Sequence, residues 1–401
     1  VRIALFTDTY PPQVNGVART LARLVRHARE EGHEVALVTT RGKGAGEALA
    51  SLGDPGHASG PGSPARRGAD EGIDRSLPLH LRLPGLPVPV YPELILPRWP
   101  SRREQWFLEA FDPEVVHCAT ESVLGWWGRR WALRTRRPLV TSFHTNFPAY
   151  AAGYGLGFAE SAAWAILRRF HAPAFRTMAP SHDTVADLAS RNFHSRLAIW
   201  SRGVNGEQFN PGHRDPSTRR ALGGGADVVL LYVGRLAPEK RLPLLLQAFE
   251  RVRENASVEV ALVLVGGGPM EGELRNRPRP GVHLAGYLTG LELSRAYASA
   301  DVFGFPSDTE TFGNVVLEAM ASGLPVVGVD RGGVRDSIVP GETGFRTPPG
   351  DVDAFAEALI HLVENPLLRV RMGTRGRIHA EGRTWPRILD GVLDTYREAM
   401  T

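Results

Sequence analysis

"DVFGFPSDTETFGNVVLEAMASGLPVVGVD" (Asp301–Asp330) reads as strand, loop, helix and strand. "VFGFPS" is a short apolar run, Asp308–Phe312 a loop, Gly313-Asn314 the start of the helix "NVVLEAMASG", and "LPVVGVD" a second apolar run. Two strands joined through a helix form a βαβ unit, so the sheet is expected to be parallel. The stretch also carries two glutamates, Glu310 before the helix and Glu318 inside it. Paired acids invite a hydrolase reading. A glycosidase, however, needs its two carboxyls flanking one bond, ~5 Å apart for retention and ~6.5–9.5 Å for inversion. A loop glutamate and a helix glutamate lie on different parts of a site, not on one helix face. Between them the amides of Phe312, Gly313, Asn314 and Val315 sit at a helix N-terminus, where the dipole favours an anion. The pattern fits two hydroxyl-binding acids on either side of a phosphate.

Outward from this unit the alternation repeats. "DVVLLYVGRLAPEKRLPLLLQAFERV" (Asp227–Val252), "EVALVLVGGGPMEGEL", "GVHLAGYL" and "ELSRAYASADVFGFPS" continue the run of strands and helices. Upstream, "RIALFT" (Arg2–Thr7), a helical "VARTLARLVRHAREEGH" and "EVALVTT" (Glu34–Thr40) make another βαβ unit, followed by the strands "EVVHCAT", "PLVTSFHT", "RTMAPS" and "LAIW". At 401 residues two cores are the natural expectation. The domains are placed at 1–204 and 205–383, with the helical tail from about 384 to 401 packing back on the first. Residues Arg41–Ser76, rich in Gly, Ser, Ala and Pro, read as one long loop.

Composition excludes several classes. Hydrophobic content of 42% with 22% charged residues is ordinary for a globular chain. No apolar run approaches the ~20 residues of a membrane span, and the opening "VRIALFTDTYPP" reads as a first strand rather than a signal peptide. One cysteine, Cys118, excludes an internal disulfide framework and fits a reducing cytosol, so a cytoplasmic location is expected. The 13 histidines show no metal-ligand spacing, and no metal is expected. A net charge of +4 is too weak to argue for nucleic acid but is compatible with an anionic ligand or membrane surface.

In open parallel sheets ligands sit beyond the carboxyl ends of the strands, so the residues after each strand are the candidates. Asn15-Gly16 opens the first helix, and Gly16 would let amides approach a phosphate; a plain tight turn is the other reading. No G-x-G-x-x-G is present, which removes a dinucleotide fingerprint. "GRLAPEKR" sets Arg235 and Lys240 on one strand-to-helix loop, a clamp for a diphosphate; Arg241 reads as a solvated basic turn. Gly266 opens "GGGPMEGEL", which suits either a ligand or close backbone packing. His144, at the end of a strand with Thr145, Asn146 and Tyr150 behind it, is a candidate site residue or a structural hydrogen-bonder.

These residues resemble a known family. The chain is similar to the retaining nucleotide-sugar glycosyltransferases of the large GT4 family, on the E-x7-E pattern "ETFGNVVLE" together with "PPQVNGV", "FHTNFPAY", "SRGVNGEQFNP", "VGRLAPEK" and "VGGGP" in order. The resemblance implies an α/β fold of GT-B type, two Rossmann-like domains with parallel sheets facing across a cleft. It implies that Glu310 contacts hydroxyls of the transferred sugar and Glu318 the ribose. Backbone at Phe312, Gly313, Asn314 and Val315 and the loop at Gly16 would contact the diphosphate, Arg235 and Lys240 would neutralise it, and Gly266 would lie by the base. His144 would lie near the sugar. No metal is needed in the family, and no D-x-D stands in a suitable place. "FHTNFPAY" and "SRGVNGEQFNP" look most like GDP-mannose-dependent α-mannosyltransferases acting on lipid, glycolipid or other small hydroxyl acceptors, while other relatives use UDP-sugars such as UDP-glucose. A catalytically silent sugar-nucleotide-binding subunit is the alternative of a different class.

"GWWGRRWALRTRRP" and "PRWPSRREQWF" mix tryptophans with arginines. Such a helix suits peripheral contact with an anionic membrane, at its inner face. Equally, Leu124, Trp127 and Trp131 at helical spacing suit a core.

Overall fold

The structure is a computed structural model that describes residues 1–11, 13, 15–41, 79–88, 91–144, 160–194 and 196–401. Most of the Arg41–Ser76 loop, and Thr145, Asn146 and Tyr150, lie outside the described residues. The chain forms two compact units. The first comprises Val1–Ala179, Ala189–Ala198 and Gly391–Thr401; the second comprises Pro180–Leu188 and Ile199–Asp390.

The first unit is built on strands β1 (Arg2–Phe6), β2 (Glu34–Arg41), β3 (His80–Val88), β4 (Tyr91–Pro97), β5 (Val115–Cys118), β6 (Leu139–Ser142), β7 (Arg176–Ala179) and β8 (Leu197–Ile199). Their order is β4-β3-β2-β1-β5-β6-β7-β8. β1 pairs in parallel with β2 (Ile3 with Val35) and with β5 (Ile3 with Val115). β1 and β5 are buried throughout or nearly so, as strands covered on both faces must be. β3 and β4 were not foreseen, because "HLRLPGLPVPVYPELILP" carries five prolines that argue against strand. The register explains the tolerance: β3 pairs with β2 up to Pro84 and with antiparallel β4 from Gly85 onward, with an irregularity at Pro87 and Val88. Among the described residues, each half of β3 therefore leaves one edge unpaired.

Among the basic-aromatic residues, the core reading holds for the helix Val123–Thr135: Leu124, Trp127 and Trp131 are buried against Phe6, Phe107 and Phe170. The end of the helix Trp385–Met400 also contributes to this unit. Tyr396 Oη lies 2.7 Å from His117 Nδ1, and His117 Nε2 lies 2.5 Å from Ser142 Oγ. Full burial pushes the His117 imidazole down to about 3, so it stays neutral between its two hydroxyl partners.

The second unit carries a six-stranded sheet of β9 (Val228–Val233), β10 (Val260–Val265), β11 (Val282–Gly286), β12 (Val302–Phe305), β13 (Val326–Val329) and β14 (Gly344–Thr347), all pairings parallel, in the order β11-β10-β9-β12-β13-β14. β9, β10, β12 and β13 are buried along their whole length. The helix Leu242–Asn255 turns Leu242, Leu245, Phe249 and Val252 onto the core, the three- and four-residue spacing of an amphipathic helix. An aromatic row runs through this core, from Tyr232 to Phe305, Phe303 and Tyr297, with centroid spacings of 5.8–5.9 Å. Among the described residues no helix is long and apolar enough to cross a membrane.

Candidate active site

The strand order determines where a ligand has room. From β9 the chain moves to β10 and β11 on one side, then crosses to β12, β13 and β14 on the other. The loops after β9 and β12 therefore leave the sheet in opposite directions and open a crevice at the strands' carboxyl ends. Arg235, Lys240 and Arg241 follow β9, and Ser307, Asp308 and Glu310 follow β12.

The structure brings these two loops together. The Lys240 ammonium forms an ion pair with Glu310 Oε1, both side chains largely shielded from solvent, and Ser307 Oγ donates to the same oxygen at 3.2 Å. Arg241, read from sequence as a solvated turn, instead pairs with the buried carboxylate of Asp308 at 3.1 Å. Arg235 is mostly exposed, 3.8 Å from Glu239. Its carbonyl is held from below by the hydroxyl of Tyr232, which donates at 3.0 Å; burial, and after it the charge of Glu310, raises the tyrosine pKa. The three cations thus stand in a balanced field of acids.

Glycines set the spacing of this frame. Gly313, with φ 82°, caps the helix Asn314–Ala321, whose first amides have no acceptor within the helix. Asn314 Oδ1 at that start is buried and has no hydrogen-bond partner among the described residues. Gly333 donates its amide to Glu310 O at 2.8 Å, and a Cβ there would collide with the Phe312 backbone. Gly266 is explained by close packing: a Cβ would strike Gly234 O, and the same two loops exchange the bond from Leu236 N to Gly267 O at 2.9 Å. Glu318, inside the helix, accepts at 3.0 Å from the hydroxyl of Tyr297, a fully buried residue whose pKa is raised by burial first and the glutamate second.

The first unit repeats the topology. β1 is followed on one side by β2 and on the other by β5, so the loops after β1 and β5 flank its switch point. Asp8 follows β1 and is buried. Its amide donates to Thr120 Oγ1 at 3.2 Å, and burial raises its carboxyl pKa despite hydrogen bonds from Thr120 and Ser122. Asp8 Oδ1 has no partner among the described residues. Glu121 beside it lies 3.2 Å from His171 Nε2, and His171 Nδ1 lies 2.9 Å from Thr141 Oγ1. Gly16 is the exposed first residue of the helix Gly16–Glu30, which Asn15 caps by accepting from Ala18 N at 2.8 Å. His144 is buried just past β6.

Ser307, Asp308, Tyr297 and Gly333 escaped the sequence reading, as did Asp8, and Arg241 was read only as a solvated turn. Asp8 and Asp308 carried a local signal, each an acid directly after an apolar run. Asp351 and Asp353, which share D-x-D spacing, are engaged otherwise: Asp351 caps a helix through Ala354 N at 2.9 Å, and Asp353 pairs with Arg251. Among the described residues no group of three or more His, Cys, Asp or Glu side chains is placed to hold a metal ion.

Residues 227–365 match the family model for glycosyl transferases group 1, and residues 14–208 match that for Glycosyltransferase Family 4. The chain is 35% identical over 401 residues to the GDP-mannose-dependent alpha-mannosyltransferase of Mycobacterium tuberculosis, covering 99% of this chain and 96% of that one. It is 32% identical over 395 residues to a sulfoquinovosyl transferase of Arabidopsis thaliana, covering 96% and 71%. The sucrose-phosphate synthase of Thermosynechococcus elongatus shares the fold with a TM-score of 0.73 at 22% identity, over 99% of this chain and 98% of that one. A sequence alike along its whole length and two parallel-sheet α/β units of GT-B type lead to one conclusion: the chain belongs to glycosyltransferase family 4 and is a glycosyltransferase.

Proposed function

We propose that this enzyme transfers mannose from GDP-mannose, with retention and without a metal ion, to a hydroxyl of a lipid, glycolipid or other small acceptor. The observation that carries the reading is the Lys240–Glu310–Ser307 cluster beside the capped start of the helix Asn314–Ala321. Glu310 holds hydroxyls of the sugar and Glu318 the ribose. Lys240 and Arg235, with the amides of Phe312–Val315 and the loop at Gly16, take the diphosphate, whose charge grows as it leaves. Gly266 shapes the loop by the base, and His144 lies near the sugar. The bond from the anomeric carbon to the diphosphate breaks, and the acceptor oxygen bonds that carbon on the same face. The acceptor's proton passes to the departing phosphate oxygen, so no protein nucleophile is required. With a lipid acceptor, the enzyme works at the cytoplasmic face of an anionic membrane.

Mannose is supported by three mannosyltransferase relatives, 35%, 34% and 28% identical over nearly the whole chain. A UDP-sugar donor is the second reading, because "LAGYL" (Leu284–Leu288) holds no residue decisive for guanine over uracil. Titration with GDP and with UDP separates the two. GDP should bind at least about tenfold tighter, ~1.4 kcal/mol, and GDP-mannose should be consumed in chelator-treated buffer with the α configuration kept. Tighter UDP selects the second reading; binding of neither removes both.

A further inference from the structure

Away from the strand ends, the first unit carries a groove of about 380 Å³ lined by Trp99, Trp126, Arg129, Arg130, Leu133 and Arg169. Three arginines line it, and none of its lining residues is an acid. Arg129 is fixed in place: its Nε donates to Phe170 O at 3.0 Å, its Nη2 to Arg169 O at 3.1 Å, and its guanidinium lies 5.0 Å from the Trp126 ring centroid. Trp126 is in turn held edge-on to Phe170 at 5.2 Å. Burial, and after it the charge of Arg169, pulls the Arg129 pKa below its ordinary value.

Carboxylates on the same unit's helices pair with other arginines. Glu104 pairs with Arg98 at 2.6 Å, Glu109 lies 3.7 Å from Arg134, and Glu160 lies 3.9 Å from Arg191. Among the described residues Arg129, Arg130 and Arg169 make no ion pair with a carboxylate. A half-buried cation held against like charge is stabilised by an anion that arrives from outside.

The rim is apolar. Trp99 and Leu133 are about half exposed, at 51% and 46%, and Leu96, three residues before Trp99, is exposed together with its cross-strand partner Leu86. We propose that this groove is a docking site for an anionic phospholipid of a bilayer surface, the phosphate among the three guanidiniums and Trp99 and Leu133 in the acyl boundary. An anionic head joined to an apolar body matches both halves of the groove. A nucleic acid would match the charge but leave the leucines uncovered. The proposal gives the membrane contact of the functional reading a location and does not depend on which donor is used.

The test is co-sedimentation of the full chain with vesicles of phosphatidylcholine, and of phosphatidylcholine mixed with phosphatidylglycerol, at physiological salt. The wild type should pellet with the mixed vesicles and stay in solution with the neutral ones. R130Q/R169Q should weaken that binding about thirtyfold, about fivefold for each guanidinium near the surface. W99A should weaken it less, and R277Q, an exposed arginine of the second unit, should leave it unchanged. Thermal unfolding and GDP titration establish that each variant is folded and still binds nucleotide, so a failed donor assignment cannot pass for a failed groove. Equal binding to both vesicles, absence of binding, or R130Q/R169Q binding like the wild type overturns the proposal. So does release by inorganic phosphate at matched headgroup concentration, which marks a small-anion site, or release by a single-stranded oligonucleotide.

Discussion

The two units use one topology for opposite electrostatics. Each sheet has a switch point flanked by two loops, after β1 and β5 in the first and after β9 and β12 in the second. At the second, acids and cations are matched in pairs: Lys240 with Glu310, Arg241 with Asp308. At the first, Asp8 is buried, its pKa raised, with hydroxyl neighbours and one carboxyl oxygen that has no partner among the described residues. Parallel strands therefore supply a place for chemistry but not its charge, which the loop residues decide. A loop set with paired ions can exchange one partner for an incoming anion at little reorganisation cost. A buried carboxyl with a raised pKa suits uncharged hydroxyl groups instead.

The contrast breaks most visibly at Lys240. Lys240→Ala removes the cation and leaves Glu310 charged and partly buried, and sugar transfer should fall about 10²–10³-fold in kcat. Steady-state rates under saturating donor read this directly, and wild-type turnover would show that the pair serves structure alone. A smaller effect is expected at Tyr297, which acts on Glu318 from behind. Tyr297→Phe removes a charge-assisted hydrogen bond and should raise the donor KM about tenfold with kcat little altered. A residue that only fills the core would instead lower Tm and leave the KM unchanged.

The smallest effect is at Asp8. The folded chain keeps a proton that the unfolded chain releases above roughly pH 4. This contribution is fully present below that pH and is lost as pH rises through the higher folded pKa. Asp8→Asn does not titrate, so its stability relative to wild type should rise between about pH 4 and pH 7, on the order of 1 kcal/mol. Urea unfolding at the two pH values measures it, and a gain in the opposite direction would mean the carboxyl is ionised in the fold.

Much of the architecture was legible because local rules encode it. Continuous apolar runs ending in Gly, Pro or a charged residue mark buried parallel strands and their carboxyl ends, and this placed Glu310, Arg235, Lys240, Gly266 and His144 at strand ends or in the loops beyond them, and Glu318 in the helix that follows. The β3–β4 hairpin was hidden by prolines whose tolerance depends on which edge of β3 is paired. Trp127 and Trp131 could not be assigned to surface or core until the helix had a sheet to lie on.

By itself, then, the sequence determined the alternation of strands and helices, the residue types at the strand ends and the family's motifs. All of these reside within a few residues of one another. Tertiary structure decided that β9 neighbours β12 and so that Lys240 meets Glu310, 70 positions later. It also decided that Gly266 and Gly333 are glycines because another backbone passes where a Cβ would sit, and that Tyr297 stands behind Glu318. Hydrophobic period is a local property of the chain, whereas strand order and the contacts it creates depend on which distant segments share one core.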